Sequence, residues 1–288
     1  MSPRETFTLR DYLSPDLKDR SISDARQLVS LTNILGQTCL GGRLGDLAGR
    51  SVLLAVEDQL LSAVAMTEID GVARRMLLCP PDFNADHIET LIEDADIEAV
   101  VTDHPPRWTD AGVYLVVGAR PPAPATGKKV KTGRATEWLM LTSGTSAVPK
   151  IVGHTLEGMT GAIVADGPAR GAPPVWATFC DIRRYDGLQI FLRAVFSGGS
   201  MVLSEPHEPV ADCVARLNAR GVTHISGTPS HWRKFLMSGS ASGFSPRYVR
   251  LSGEIADQAV LDGLSRAFPE ASIEDAYAST EAYVGNTA

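Results

Sequence analysis

Long apolar runs are missing from this sequence. No stretch approaches the roughly 18 apolar residues that a membrane-spanning helix needs, so no membrane partner is expected. The N-terminus, MSPRETFTLRDYL, has no apolar core of secretory-signal type. A basic excess is missing too: 27 lysines and arginines stand against 34 acidic residues, a formal charge of −7. Phosphate neutralisation dominates the affinity of nucleic-acid binders, so nucleic acid is not an expected partner either. Cysteine is scarce and scattered. Cys39, Cys79, Cys180 and Cys213 form no CxxC pair and no Cys/His cluster at zinc-ligand spacing. Reduced, mostly buried thiols in a soluble cytoplasmic protein are the expectation.

What is present is an ordinary globular composition, 44% hydrophobic and 21% charged over 288 residues, enough for a sizeable core. Helix-like and strand-like segments alternate. SDARQLVSLTNILGQTCLGG (23–42) has apolar residues at helical spacing before a glycine pair and predicts a helix. RSVLLAV (50–56) predicts a strand, 59–73 a helix, RMLLCP (75–80) a strand, 87–97 a helix and 98–103 a strand. GARPPAPATGKKVKTGRA (118–135) has no hydrophobic periodicity and reads as a surface connector. Alternation then resumes from EWLMLT to SIEDAYASTEA (272–282). The expected fold is α/β, with mostly parallel sheets sandwiched by helices. The expected division is a first α/β sub-domain over 1–117, a linker over 118–135 and a second sub-domain over 136–288.

One stretch asks for chemistry: LMLTSGTSAVPKIVGHT (139–155). A Walker A loop needs G-x-x-x-x-G-K-[ST] leading into a helix. Here Pro149 stands where the second glycine belongs, Ile151 follows Lys150, and the next segment reads as a strand. Walker A is therefore excluded. Successive backbone N–H groups in a tight turn can still form an anion-binding concavity. Thr142, Ser143, Thr145 and Ser146 add hydroxyls, Lys150 adds a cation, and Pro149 stiffens the exit. Taken alone, the stretch fits a phosphate cradle and a Ser/Thr-rich turn equally well.

Its wider pattern resembles the phosphate loop of the adenylate-forming superfamily, which comprises acyl- and aryl-CoA ligases, nonribosomal adenylation domains and luciferases. Against [ST]SG[ST]TGxPK, the residues Thr142, Ser143, Gly144, Thr145, Pro149 and Lys150 match, Ser146 keeps a hydroxyl, and Ala147 replaces a glycine. RRYDGLQIFLRAVFSGGSMVL (183–203) resembles the family's segment bordering the acyl pocket. GVTHISGTPSHWRKFL (221–236) resembles its strand-loop-helix. LSGEIAD (251–257) resembles its Gly-Gly-Glu segment, with Ser252 for the first glycine. AYASTEA (276–282) resembles YGxTE, with Ala278 for the glycine. These segments follow in family order over roughly residues 25–288.

The resemblance implies ATP-dependent activation of a carboxylic acid to an acyl-adenylate, with Mg2+ as cofactor and CoA as co-substrate. Thr142, Ser143, Gly144, Thr145, Ser146 and Lys150 would hold the phosphates. Gly253, Glu254, Asp275, Ala276, Tyr277, Ala278, Ser279 and Thr280 would take the rest of ATP, with Tyr277 against adenine and Thr280 on the α-phosphate. Lys150, Thr280 and Glu281 would be catalytic, and Glu281 would hold the metal. Tyr185, Asp186, Ile190, Ser226, Gly227, Thr228 and Ser252 would line the acid's pocket, a mix that leans toward an aryl or short acyl acid. His154, His224 and His231 are isolated in sequence and read as structural. In the family a ribose-gripping aspartate, a hinge and a C-terminal domain with an adenylation lysine follow. Their absence from this chain predicts an N-terminal core with weak nucleotide binding and little activity. A carrier protein in place of CoA, and a degenerate nucleotide module, are the alternatives. The oligomeric state stays open, a homodimer included.

Overall fold

The structure is a computed structural model that describes residues 7–13, 17, 19–108, 111–125, 130–142, 149–164 and 172–276. Two compact units divide the chain: Met1–Lys18 with Ser30–Met159, and Asp19–Val29 with Thr160–Ala288. The chain opens on β1 (Ser21–Ser23), β2 (Leu28–Ser30), α1 (Leu31–Gly36) and β3 (Gln37–Thr38). There follow β4 (Ser51–Ala55), α2 (Gln59–Ile69), β5 (Arg75–Leu78), α3 (Ile88–Asp94), β6 (Ala99–Thr102) and β7 (Leu115–Gly118). Then come β8 (Ala123–Pro124), β9 (Glu137–Thr142), β10 (Lys150–Thr155) and α4 (Leu156–Val164). The remainder is β11 (Val175–Thr178), α5 (Tyr185–Phe196), β12 (Ser200–Val202), α6 (Val210–Ala219) and β13 (His224–Gly227), then α7 (Pro229–Met237), β14 (Tyr248–Leu251), α8 (Gln258–Ala267) and β15 (Ser272–Asp275).

The first unit is built on a six-stranded sheet in the order β10-β9-β5-β4-β6-β7. Its pairings are parallel except for β9 with β10. β4 is buried along its whole length, as expected of an apolar run at the centre of a parallel sheet. Asp58 caps α2 by accepting from the Leu61 N–H at 2.9 Å. Every residue of α2 is buried, so its polar groups need internal partners. Glu68 accepts from Thr38 Oγ1 at 2.6 Å and from the Cys39 N–H at 2.9 Å. Asp70, just past the helix, accepts from the Leu9 N–H at 2.8 Å and from Trp138 Nε1 at 3.0 Å.

The second unit is built on a seven-stranded sheet in the order β15-β14-β13-β11-β12-β1-β2. Side-chain alternation splits this sheet into two faces. Ala177, Ile225, Val249, Leu251 and Ile273 pack into one apolar cluster with Trp232 and other residues of the helices. The opposite face carries Thr178, Ser226, Arg250 and Glu274 in one register row, and Trp176, His224, Tyr248 and Ser272 in the next. Left-handed Gly198 and Gly221 follow the ends of α5 and α6, at φ 65° each, which is where a glycine stops a helix most cheaply.

Two expectations change. The helix expected over 23–42 is present only as α1; its first part is the β1–β2 hairpin. Asp24 explains it, because its Oδ1 accepts from the N–H groups of Arg26 and Gln27, both at 2.7 Å, and offers the backbone a turn in place of a helix. The units also divide the chain at other points than expected. β9 pairs parallel with β5, which takes residues 137–155 into the first unit, and β1 pairs parallel with β12, which takes the start of the chain into the second. Within 118–135, β8 pairs antiparallel with β3, and the Arg134 N–H bonds the Gly71 carbonyl at 3.0 Å. Those described residues are tied to the first unit by backbone bonds, which apolar periodicity does not reveal.

Candidate functional site

In the second unit, α5 carries the chain from β11 to its neighbour β12, and α6 carries it back across to β13 on the other side of β11. The crossover direction reverses between β11 and β13. In open α/β sheets the crevice beyond the carboxyl ends at such a reversal is where ligands bind. The expected site residues of this unit gather at those ends. Ser226 and Gly227 close β13, Thr228 follows, Ser252, Gly253 and Glu254 follow β14, and Asp275 and Ala276 sit at the end of β15. Tyr185 and Asp186 form the first turn of α5, and Ile190 is buried one turn further on. Backbone bonds hold the strand ends level: Phe179 N to Ser226 O at 3.0 Å, Ser252 N to Gly227 O at 3.2 Å, and Ala276 N to Leu251 O at 2.9 Å.

Asp186 approaches Gly253 so closely that a Cβ there would lie 2.6 Å from Asp186 Oδ2, and φ at Gly253 is +84°. Burial pushes the Asp186 carboxyl up; the nearby Arg250 charge opposes the rise and Glu254 adds to it. Glu254 Oε2 accepts from Ser230 Oγ at 2.6 Å and from the Ser230 N–H at 3.1 Å, so its carboxylate braces the amino end of α7. The Ser230 hydroxyl bond is the main reason its pKa is lowered. Thr228 caps α7, accepting from the His231 N–H at 3.3 Å, and its own N–H donates to His231 Nδ1 at 3.2 Å. The His231 ring stacks on Phe179 with centroids 5.8 Å apart. Gly227 is required here, because a Cβ would meet Phe179 Cδ2 at 2.6 Å.

The segment before α5 is fixed by a buried ion pair. Arg183 Nε and Nη2 donate to Asp181 Oδ1 and Oδ2 at 2.7 and 2.5 Å, and the arginine side chain is 1% exposed. The backbone of Asp181 then passes so close to Gly187 that a Cβ there would lie 2.1 Å from the Asp181 carbonyl oxygen.

In the first unit, Thr142 ends β9 and Lys150 begins β10, and the two are register partners across the antiparallel pair. Lys150 is exposed and starts a strand, which agrees with the exclusion of a Walker A helix. Thr142 Oγ1 is buried with no hydrogen-bond partner among the described residues. Ser143, Gly144, Thr145 and Ser146 lie outside the described residues, as do Tyr277, Ala278, Ser279, Thr280 and Glu281. Among the described residues no group of three or more His, Cys, Asp or Glu side chains is gathered to hold a metal.

Sequence reasoning missed three polar residues. Arg250, whose side chain is 4% exposed, donates from Nη1 to Glu274 Oε1 at 2.6 Å. Tyr248 donates its hydroxyl to Glu274 Oε2, and burial together with that bond pushes its pKa up to about 12. The ring of Tyr248 meets Trp176 edge-on at 5.6 Å and His224 at 5.5 Å. The available signal was a charged residue at an alternate position of each apolar strand, in YVRL and SIED.

All four cysteines are free, and among the described residues no helix is long and apolar enough to cross a membrane. No curated protein matches the chain in sequence. Solved structures match it closely in fold at low identity. The Klebsiella oxytoca NpsA N-terminal subdomain in complex with 3-hydroxyanthranilyl-AMSN superposes with a TM-score of 0.80 at 15% identity, covering 99% of this chain and 76% of that one. VinN superposes with a TM-score of 0.77 at 17% identity, covering 96% and 76%, and its complex with L-aspartate with 0.75 at 19%, covering 96% and 77%. The mixed α/β architecture with mostly parallel, helix-flanked sheets is that of the N-terminal subdomain of adenylate-forming enzymes. The family model for AMP-binding enzymes matches residues 60–288, and the chain belongs to that family.

Proposed function

We propose that this chain is the acid- and nucleotide-binding core of an enzyme that activates a carboxylic acid with ATP and passes the acyl group to the thiol of CoA. The carboxylate attacks the α-phosphate, giving acyl-adenylate and pyrophosphate. Attacking and leaving groups are both anionic, so the chain's task is to neutralise charge and hold the groups in line. Residues Thr142 to Ser146 receive the phosphates, with Lys150 as their cation. Gly253, Glu254, Asp275 and Ala276 line the adenine side, with Tyr277 against the ring. Thr280 bonds the α-phosphate. Glu281 offers the hard oxygen ligand that Mg2+ prefers beside phosphate oxygens and water. The acid lies along Asp186, Ser226, Thr228 and Ser252, a small and polar set that suits an aryl or short acyl acid.

One observation carries this reading. In a chain of the AMP-binding family, the segments matched to the acyl-pocket and Gly-Gly-Glu patterns meet at the carboxyl ends of neighbouring parallel strands, beside a topological switch point. The test is the melting temperature with and without Mg-ATP, then with a panel of carboxylates. A ligand that binds only the folded chain stabilises it by about 2.7 kcal/mol at 100 times its Kd. Lys150→Ala and Tyr277→Ala are expected to abolish the ATP shift. An unchanged melting temperature in millimolar Mg-ATP overturns the proposal. A large gain in ATP affinity on Ala147→Gly with Ala278→Gly would favour a degenerate module. Thioester formation on a carrier protein in place of CoA would reassign the acceptor.

A further inference from the structure

We infer that the acid taken by this site carries a hydroxyl group away from its carboxylate, and that Arg250 and Glu274 together read that hydroxyl. The inference rests on the acid-activating reading above and deepens it.

The argument starts from the polar face of the second unit's sheet. Ser226, Arg250 and Glu274 are register neighbours on three adjacent strands, in the last full row before the carboxyl ends. Arg250 is almost wholly buried, yet only its Nη1 is engaged, by Glu274 at 2.6 Å and Tyr248 Oη at 3.4 Å. Its Nε and Nη2 bond to nothing among the described residues. Covering these unbonded guanidinium donors with an apolar substituent would strip them of water and give them no partner, so such a substituent would bind poorly here. Arg250 and Glu274 cancel in charge, and Asp186 adds a further carboxylate within reach of Arg250's field. A second carboxylate on the substrate would add negative charge beside Glu274 and Asp186. An ammonium group cannot accept from Arg250. A hydroxyl does both required things, accepting from the guanidinium and donating to the Glu274 carboxylate.

The next row on this face limits size. Trp176, His224 and Tyr248 stand two residues toward the amino ends of the strands, about 7 Å deeper at ordinary strand rise. Their rings pack at 4.8 to 5.6 Å between centroids, which puts an aromatic cluster below the Arg250–Glu274 row. An aryl or short acyl hydroxy acid fits that depth; a long chain does not. Tyr248, which bonds Glu274 and lies 3.4 Å from Arg250 Nη1, acts on that pair as a positioning residue.

The experiment is calorimetric titration of the full chain, first with Mg-ATP alone, then with benzoate, 3-hydroxybenzoate, 4-hydroxybenzoate, butyrate and 3-hydroxybutyrate. At least one hydroxy acid is expected to bind about 10- to 100-fold tighter than its parent, the range for a hydrogen bond to a charged group. Arg250→Met should bring that ratio within about threefold by weakening the hydroxy acid while sparing the parent. The double variant Arg250→Met with Glu274→Gln does not strand the Glu274 carboxylate, so it should fold where the single variant does not, and it should show the same collapse of the ratio. Tyr248→Phe should lower the ratio only partly. Equal binding of parent and hydroxy acids by the wild type, or a ratio that survives Arg250→Met with Glu274→Gln, overturns this inference alone. Failure to bind Mg-ATP and every acid overturns it together with the adenylation reading.

Discussion

Two helical glycines, Gly161 and Gly187, invite the same substitution with opposite results. Gly161 lies in α4 with nothing within 4 Å of the position a Cβ would occupy. Alanine there adds helix propensity worth about 1 kcal/mol and meets no obstacle. Gly187 lies in the first turn of α5, where a Cβ would sit 2.1 Å from the Asp181 carbonyl oxygen, 2.4 Å from its carbon and 2.8 Å from the Ile182 nitrogen. All three are backbone atoms, and the buried Asp181–Arg183 pair pins that backbone. Overpacking of this kind costs about 1–3 kcal/mol, and the tightness of the contact puts this case at the upper end. Set against the propensity gain, Gly187→Ala should lose about 2 kcal/mol. Scanning calorimetry should show Gly161→Ala melting about 2–4 °C above the wild type and Gly187→Ala about 4–8 °C below it. The second variant should also bind acid more weakly, since Tyr185 and Asp186 ride on the displaced turn. If Gly187→Ala stabilises as Gly161→Ala does, the close approach of the Asp181 backbone is not real.

Three further outcomes follow from buried polar groups. Burial raises the Asp70 carboxyl to about 6, above its unfolded value near 3.9, so its contribution to stability is full below that lower value and is lost as pH rises through 6. The full span is about 3 kcal/mol, and the stability of Asp70→Asn relative to the wild type should therefore rise by about 2 kcal/mol between pH 4 and 7.5 in urea titrations. Arg183→Met leaves the Asp181 carboxylate without its partner at a site where the arginine is 1% exposed, and should cost about 3–5 kcal/mol; the paired change Asp181→Asn with Arg183→Met should recover part of that loss. Thr228→Ala removes the cap of α7 and should cost about 1 kcal/mol, while Thr228→Ser should cost little.

Most of the alternation was legible because it rests on local pattern. β4, β5 and β6 are apolar runs, α2 starts at a capping aspartate, and α5 and α6 stop at glycines, all readable from neighbours in sequence. The N-terminal hairpin was not, because one side chain, Asp24, redirects a stretch that has helical spacing. The boundary between units was not, because it depends on which strands pair across long separations, as β9 does with β5. Gly227, Thr228, Gly253 and Glu254, named from their motif, lie at neighbouring strand ends, but the motif did not tell that Glu254 would be occupied by the α7 terminus. Arg250 and Glu274 went unread because each looks like a surface residue until the register sets them side by side.

The pairing of Ile22 with Met201 has a consequence for synthesis. The strand that borders β12 leaves the ribosome early, and its partner only many residues later. At ordinary elongation rates the wait is on the order of 10 s. During that time the first unit can complete its sheet, while β1 carries unpaired backbone groups and must avoid other strand edges. A chain begun after residue 30 would reverse the difficulty: β12 would be made with no strand to cover its outer edge. The early hairpin is thus a protective margin supplied in advance, and its loss should appear first as aggregation during expression.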